Sequence, residues 1–107
     1  MLLVVAVLNA NPGQFEELRK LASGLVDATL AEPGCRGYRI LTEAGQSNCL
    51  VFVELFVSSE AHSTHGGLEH VIRWRAESAP LIESRKLARC EVDATHPLVR
   101  LLIQEDA

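Results

Sequence analysis

The chain has 107 residues, 48% hydrophobic and 22% charged, with a net charge of −4. This is one domain with a core large enough to fold without staples, and the balance excludes wholesale disorder. Arg73, Arg75, Arg85, Lys86 and Arg89 interleave with Glu69, Glu77, Glu83 and Glu91. That pattern reads as a solvated helix and strand face, and with no basic run, nucleic acid and anionic membranes are not expected partners.

Cys35, Cys49 and Cys90 are odd in number, far apart and free of any C-x-x-C pair. Neither a disulfide framework nor a thiolate zinc site is expected. The apolar N-terminus is short, lacks a basic flank and ends in Asn9-Ala10-Asn11-Pro12-Gly13. It reads as a strand and a turn, not a signal peptide. No apolar run reaches membrane length, so a cytoplasmic location is expected.

Leu2 to Asn9 is rich in valine and reads as a buried strand. Asn11-Pro12-Gly13-Gln14 reads as a helix start, with Asn11 as cap. Positions 15, 18, 22 and 25 are apolar at helical spacing, Thr29 continues the same stripe, and Pro33 ends the helix. Arg36 to Glu43 and Cys49 to Val57 form a hairpin across the turn at 44–48. Ser58 or Ser59 caps a short helix to about Thr64, and Gly66-Gly67 breaks it. A second helical stretch runs from Leu68 to Ile82, with Pro80 as a weak point. Ser84 to Val92 alternates as a fourth strand, and Leu98 to Ile103 is a short apolar tail.

The order strand, helix, strand, strand, helix, strand predicts an α+β, ferredoxin-like β-α-β-β-α-β split with an antiparallel four-stranded sheet. Residues 1–95 form the domain, and 96–107 a tail that could pack on a partner. Both alternating faces of the first and third strands are apolar, whereas two helices cover one face. A homodimer closing the other face is the expectation.

Three of the four histidines, His62, His65 and His70, fall within nine positions. Imidazoles titrate nearest neutral pH, so this cluster is a candidate acid/base site. On a regular helix, positions five apart lie about 140° apart. His65 and His70 can share a ligand only if Gly66-Gly67 breaks the helix; otherwise they are structural. His62 and His65 share a helix face, but a metal needs further ligands, of which Glu69 is the nearest. His62 alone reads as a surface residue, and no metal is expected. Trp74 lies one turn from His70 and, with Tyr38 and Phe52, forms either a pocket wall or plain core. Glu54, inside an apolar strand, is a structural carboxylate or a general base whose pKa burial raises. Asn9 either ends a strand or orients a substrate oxygen.

Asn11-Pro12-Gly13-Gln14-Phe15, Glu32-Pro33-Gly34-Cys35-Arg36-Gly37-Tyr38, and Val53-Glu54-Leu55-Phe56 followed by Glu60-Ala61, His65 and His70 resemble, in order and spacing, the antibiotic biosynthesis monooxygenase family of dimeric α+β barrels. The match covers about residues 2 to 92. It departs from the family at Leu68-Glu69, at Val71 and at the Gly66-Gly67 pair. The resemblance implies oxygenation of a small aromatic, quinol or polyketide-like substrate with dioxygen and no cofactor. It implies His65 and His70 as base and anion stabiliser, Asn9 as orienter, and Trp74, Tyr38, Phe52 and Glu54 at the substrate.

Two alternatives accompany it. One is an isomerase of a small phosphorylated ketone, which needs Arg or Lys at the pocket mouth. The other is a non-enzymatic dimeric module that binds a small metabolite. Haem degradation fits less well, because look-alikes place the axial histidine near Arg75. No G-x-G-x-x-G, P-loop or G-x-S-x-G is present, so nucleotide, flavin and serine-hydrolase readings lack support.

Overall fold

The computed structural model describes residues 1–104. Strand β1 (Leu2–Ala10) is followed by helices α1 (Phe15–Ser23) and α2 (Val26–Leu30), then by strands β2 (Cys35–Thr42) and β3 (Cys49–Phe56). Helices α3 (Ser59–Gly66) and α4 (Glu69–Ser78) lead through a 3-10 turn at Ala79–Leu81 into β4 (Ile82–Glu91), and α5 (Pro97–Leu102) closes the described chain. The sheet order is β2-β3-β1-β4, and every neighbouring pair is antiparallel. This is the predicted α+β, ferredoxin-like arrangement.

Strand alternation sorts the sheet into two faces. Val4, Ala6 and Leu8 of β1 register with Glu54, Phe52 and Leu50 of β3 and are buried under the helices. Leu18, Ala22 and Leu25 close this core from above. The opposite face carries Leu3, Val5 and Val7, which register with Leu55, Val53 and Val51. There α5 buries Val99, and Leu55 is covered as well. A Cβ at Gly37, which pairs with Leu55, would collide with the carbonyl oxygen of Leu102. Beyond α5, the Gln104 N–H donates to Arg36 O at 2.7 Å and its side-chain oxygen accepts from Tyr38 N–H at 2.6 Å. The tail therefore blunts the free edge of β2. Residues 96–104 of the tail thus reach the chain's own sheet, and residues 105–107 are outside the described part.

Local differences from the expected elements have physical causes. The predicted first helix is two helices, because the chain bends at Gly24-Leu25. It also starts later than predicted. Asn11-Pro12-Gly13-Gln14 is a turn closed by Gln14 N–H on Asn11 O at 2.9 Å, with Gly13 at φ +78°. Asn11 does not cap α1; its amide donates to Pro80 O at 3.0 Å. Ser58 does cap α3, accepting from Ala61 N–H at 3.1 Å. Gly66-Gly67 breaks the helix as expected, two residues later than Thr64, and Pro80 falls in the 3-10 turn that ends the second helical region. No helix among the described residues is long and apolar enough to cross a membrane.

Candidate acid–base site

The break at Gly67 decides the geometry of the histidines. His65 ends α3, His70 begins α4, and the bend brings their ring centroids to 6.1 Å. Both point at one oxygen. Glu32 Oε2 lies 2.8 Å from His65 Nδ1 and 2.8 Å from His70 Nε2. The carboxylate accepts from both rings, which assigns the Nδ1–H tautomer to His65 and leaves its Nε2 lone pair free. That nitrogen stands 4.0 Å from Glu54 Oε1.

Glu32 is the member of this cluster that sequence reasoning missed. It precedes Pro33 at the end of α2, and 33 positions separate it from His65. Its turn reaches the histidines because Gly34 has no side chain. A Cβ at Gly34 would sit 2.5 Å from Ala61 Cβ on α3. The signal in the sequence is the carboxylate of the Glu32-Pro33-Gly34-Cys35 motif.

His65 and Glu54 border a cavity of about 400 Å³ between the helices and the sheet, within the range of small-molecule sites. Tyr38, Phe52 and Trp74 all line it. Phe52 lies between the other two rings, 6.0 Å from Tyr38 and 5.6 Å from Trp74 between centroids. His70 is not part of this lining. It borders a shallow depression on the outer side of Trp74, with Leu21, Gly24 and Arg73. His62, read from sequence as a surface residue, is half-buried, stacks 6.0 Å from His65 and lines the cavity.

Asn9 is not brought to the cavity. It falls on the opposite face of the sheet, in alternation with Leu8, and its amide donates to Ser84 Oγ at 3.1 Å. Sequence position alone placed it near the site; the face of the strand takes it away.

Burial pushes the Glu54 carboxyl up to about 7; nearby Arg85 opposes the rise and Glu32 adds to it. Burial likewise lowers the pKa of His62, helped by Arg89 and by His65. The Tyr38 phenol is driven strongly upward by burial, so it stays neutral. Glu54 is thus a carboxyl able to hold or release a proton near neutral pH.

Glu32, His65 and His70 are also the group of potential metal ligands found among the described residues, with ligand atoms within 4.8 Å of one another. They differ from the set considered from sequence. Glu69 turns away to Arg73 at 2.9 Å. The 2.8 Å contacts satisfy the three groups by hydrogen bonding alone.

The fold and site define a ferredoxin-like α+β domain with an imidazole–carboxylate cluster opening on an aromatic-walled cavity. The sequence profile of the family described as "Antibiotic biosynthesis monooxygenase" matches residues 1–77. Over 79 residues the chain is 33% identical to "Putative monooxygenase Rv0793" of Mycobacterium tuberculosis, covering 74% of this chain and 77% of that protein. The solved structure of Rv0793 superposes with a TM-score of 0.82 at 27% identity, covering 89% of this chain and 98% of that one. PA3566 of Pseudomonas aeruginosa gives 0.82 at 26% identity, covering 87% and 94%. The chain belongs to the antibiotic biosynthesis monooxygenase family.

Proposed function

We propose that the protein oxygenates a small aromatic, quinol or polyketide-like substrate with dioxygen, using no cofactor. The observation that carries this reading is the pair of proton-holding atoms facing the cavity, His65 Nε2 and Glu54 Oε1, 4.0 Å apart. The gap is too long for a direct hydrogen bond and leaves a substrate oxygen room to reach both.

Glu32 fixes the ring and tautomer of His65 by accepting its Nδ1–H. His65 removes a proton from the substrate. The electron-rich anion passes electrons to dioxygen, a C–O bond forms, and the imidazolium or the neutral Glu54 carboxyl returns a proton to the resulting peroxide. Loss of water then leaves one oxygen atom in the product as a carbonyl and the other in water. Tyr38, Phe52 and Trp74 hold the ring and keep the anion dry. His70 acts through Glu32 and is a positioning residue.

The test is dioxygen uptake with a panel of anthrones and quinols. His65→Ala should lower uptake by the roughly 10² to 10⁴-fold typical of a lost general base. Full activity in that variant on a confirmed substrate would remove His65 from the chemistry.

A second reading has one observation in its favour. Isomerising a phosphorylated ketone needs the same proton shuttle and cationic residues at the mouth, and Arg75 and Arg85 line the cavity. Turnover under argon would favour it.

A further inference from the structure

We propose that the ligand of this cavity is an acid: an apolar, ring-bearing body with a carboxylate or phosphate, the anionic group held by Arg75 and Arg85. The proposal rests on the cavity being the ligand site, not on the oxygenation chemistry.

The first argument is topological. β4 is an edge strand, and Arg85, Leu87 and Arg89 of its helix-side row register with Leu8, Ala6 and Val4. These three β4 residues are exposed, unlike their buried β1 partners. The cavity opens along this uncovered strip. Its inner end is Glu54, His65 and the aromatic rings, and Arg85 stands at the open side with Arg75 of α4.

The second argument is that Arg75 is held in place. Its Nη1 donates to Gly66 O at 2.9 Å. A Cβ at Gly66 would lie 3.1 Å from Arg75 Nη2, so this glycine lets the guanidinium rest against the end of α3. The contact gives the unusual Gly66-Gly67 pair a second role besides breaking the helix. The guanidinium keeps further N–H donors in a planar fork suited to carboxylate or phosphate.

The third argument is charge. Among the described residues, arginine ion pairs join Arg19 to Glu16 and Arg73 to Glu69, and none engages Arg75 or Arg85. Glu54 is the one carboxylate in the lining, at the buried end. The walls are otherwise largely apolar, including Leu8, Phe52, Trp74 and Leu87. An apolar interior with two cations at its opening, against the single Glu54 carboxyl at its inner end, matches an amphiphilic acid better than a neutral ring. The even charge mixing along the sequence conceals this, because the partners of the mixture diverge in space.

The experiment compares four probes by calorimetry under argon: 1-naphthol, 1-naphthoate, 1-naphthyl phosphate and inorganic phosphate. The indole N–H resonance of Trp74, the sole tryptophan, reports whether binding is in the cavity. At least one naphthyl acid should bind about tenfold or more tighter than naphthol, with the advantage shrinking as salt rises. Arg75→Gln with Arg85→Gln should remove the advantage and leave naphthol binding unchanged. Comparing the two acids tells carboxylate from phosphate.

Equal binding of naphthol and both acids would overturn the proposal. So would an acid preference that survives in the double variant, inorganic phosphate binding as tightly as the naphthyl acids, or no naphthyl probe moving the Trp74 signal. The probes are compared under argon, so failure of the oxygenation reading leaves this result standing, and the reverse holds too.

Discussion

His65 and Glu54 face each other across 4.0 Å at the buried end of the cavity, one imidazole nitrogen and one carboxyl oxygen with no bond between them. The opposite nitrogen of the same ring is 2.8 Å from Glu32. One side chain thus links a buried carboxylate behind it to the ligand space in front. The following predictions test that arrangement and its supports.

Both rings point at the same oxygen of Glu32. Glu32→Gln can present an amide oxygen there, but it turns two charge-assisted hydrogen bonds into neutral ones. The expected stability loss is about 1–3 kcal/mol, because each bond to a charged group is worth about 1 kcal/mol more than a neutral one, measured by urea unfolding. If Glu32 positions His65, kcat should fall more than KM rises, and the acidic limb of the pH–rate profile should move. A change in stability with an unaltered pH profile would make Glu32 a structural residue only.

Glu54 makes folding pH-dependent in a defined sense. Its carboxyl is raised from 4.5 to about 7 in the folded chain. Between those values the folded state holds a proton that the unfolded chain has released. Stability therefore falls as pH rises from about 4.5 to about 7 and levels off above. The full effect is on the order of 3 kcal/mol, from one raised carboxyl. Glu54→Gln should flatten this slope and be relatively more stable at pH 8 than at pH 5. Denaturant midpoints at the two values decide it; an unchanged slope assigns the dependence to other groups.

The purified protein is expected to hold no stoichiometric metal. The three ligand-type atoms at Glu32 are already satisfied by hydrogen bonds of 2.8 Å, and a divalent ion would have to displace both. Elemental analysis showing one zinc or iron per chain would overturn this, and His70→Ala should then release the ion.

A homodimer is expected through the sheet face opposite the cavity. Val5, Val7 and Val53 are only part-covered there, and Leu98 and Leu101 of α5 are exposed at 42% and 71%. Such a surface exceeds the scattered apolar residues normal for a monomer. Sedimentation showing a stable monomer at micromolar concentration would rule it out.

Much of the fold was legible because its signals are local. Apolar runs and alternation mark the strands, Pro33 and Gly66-Gly67 mark the breaks, and the order of elements points to the ferredoxin-like arrangement. The aromatic trio and Glu54 were legible because they lie on helix-facing positions of β2, β3 and α4. Glu32 was not, since its role depends on a fold-level approach of one turn to the start of α4. Asn9 was misplaced by a single step of alternation. That Arg75 and Arg85 border one cavity is hidden in the sequence because they belong to different elements, in a stretch where opposite charges alternate.

Gly37 and Tyr38 are neighbours on β2 that face opposite ways. Gly37 makes room for the last carbonyl of α5, while Tyr38 forms part of the cavity wall and has its backbone N–H held by Gln104. Ligand space and the Leu102–Gln104 segment are thus separated by the thickness of a single sheet. A substitution at Gln104 would act on the wall of the cavity from behind, so a change made on one face of the sheet would be read as a change of affinity on the other.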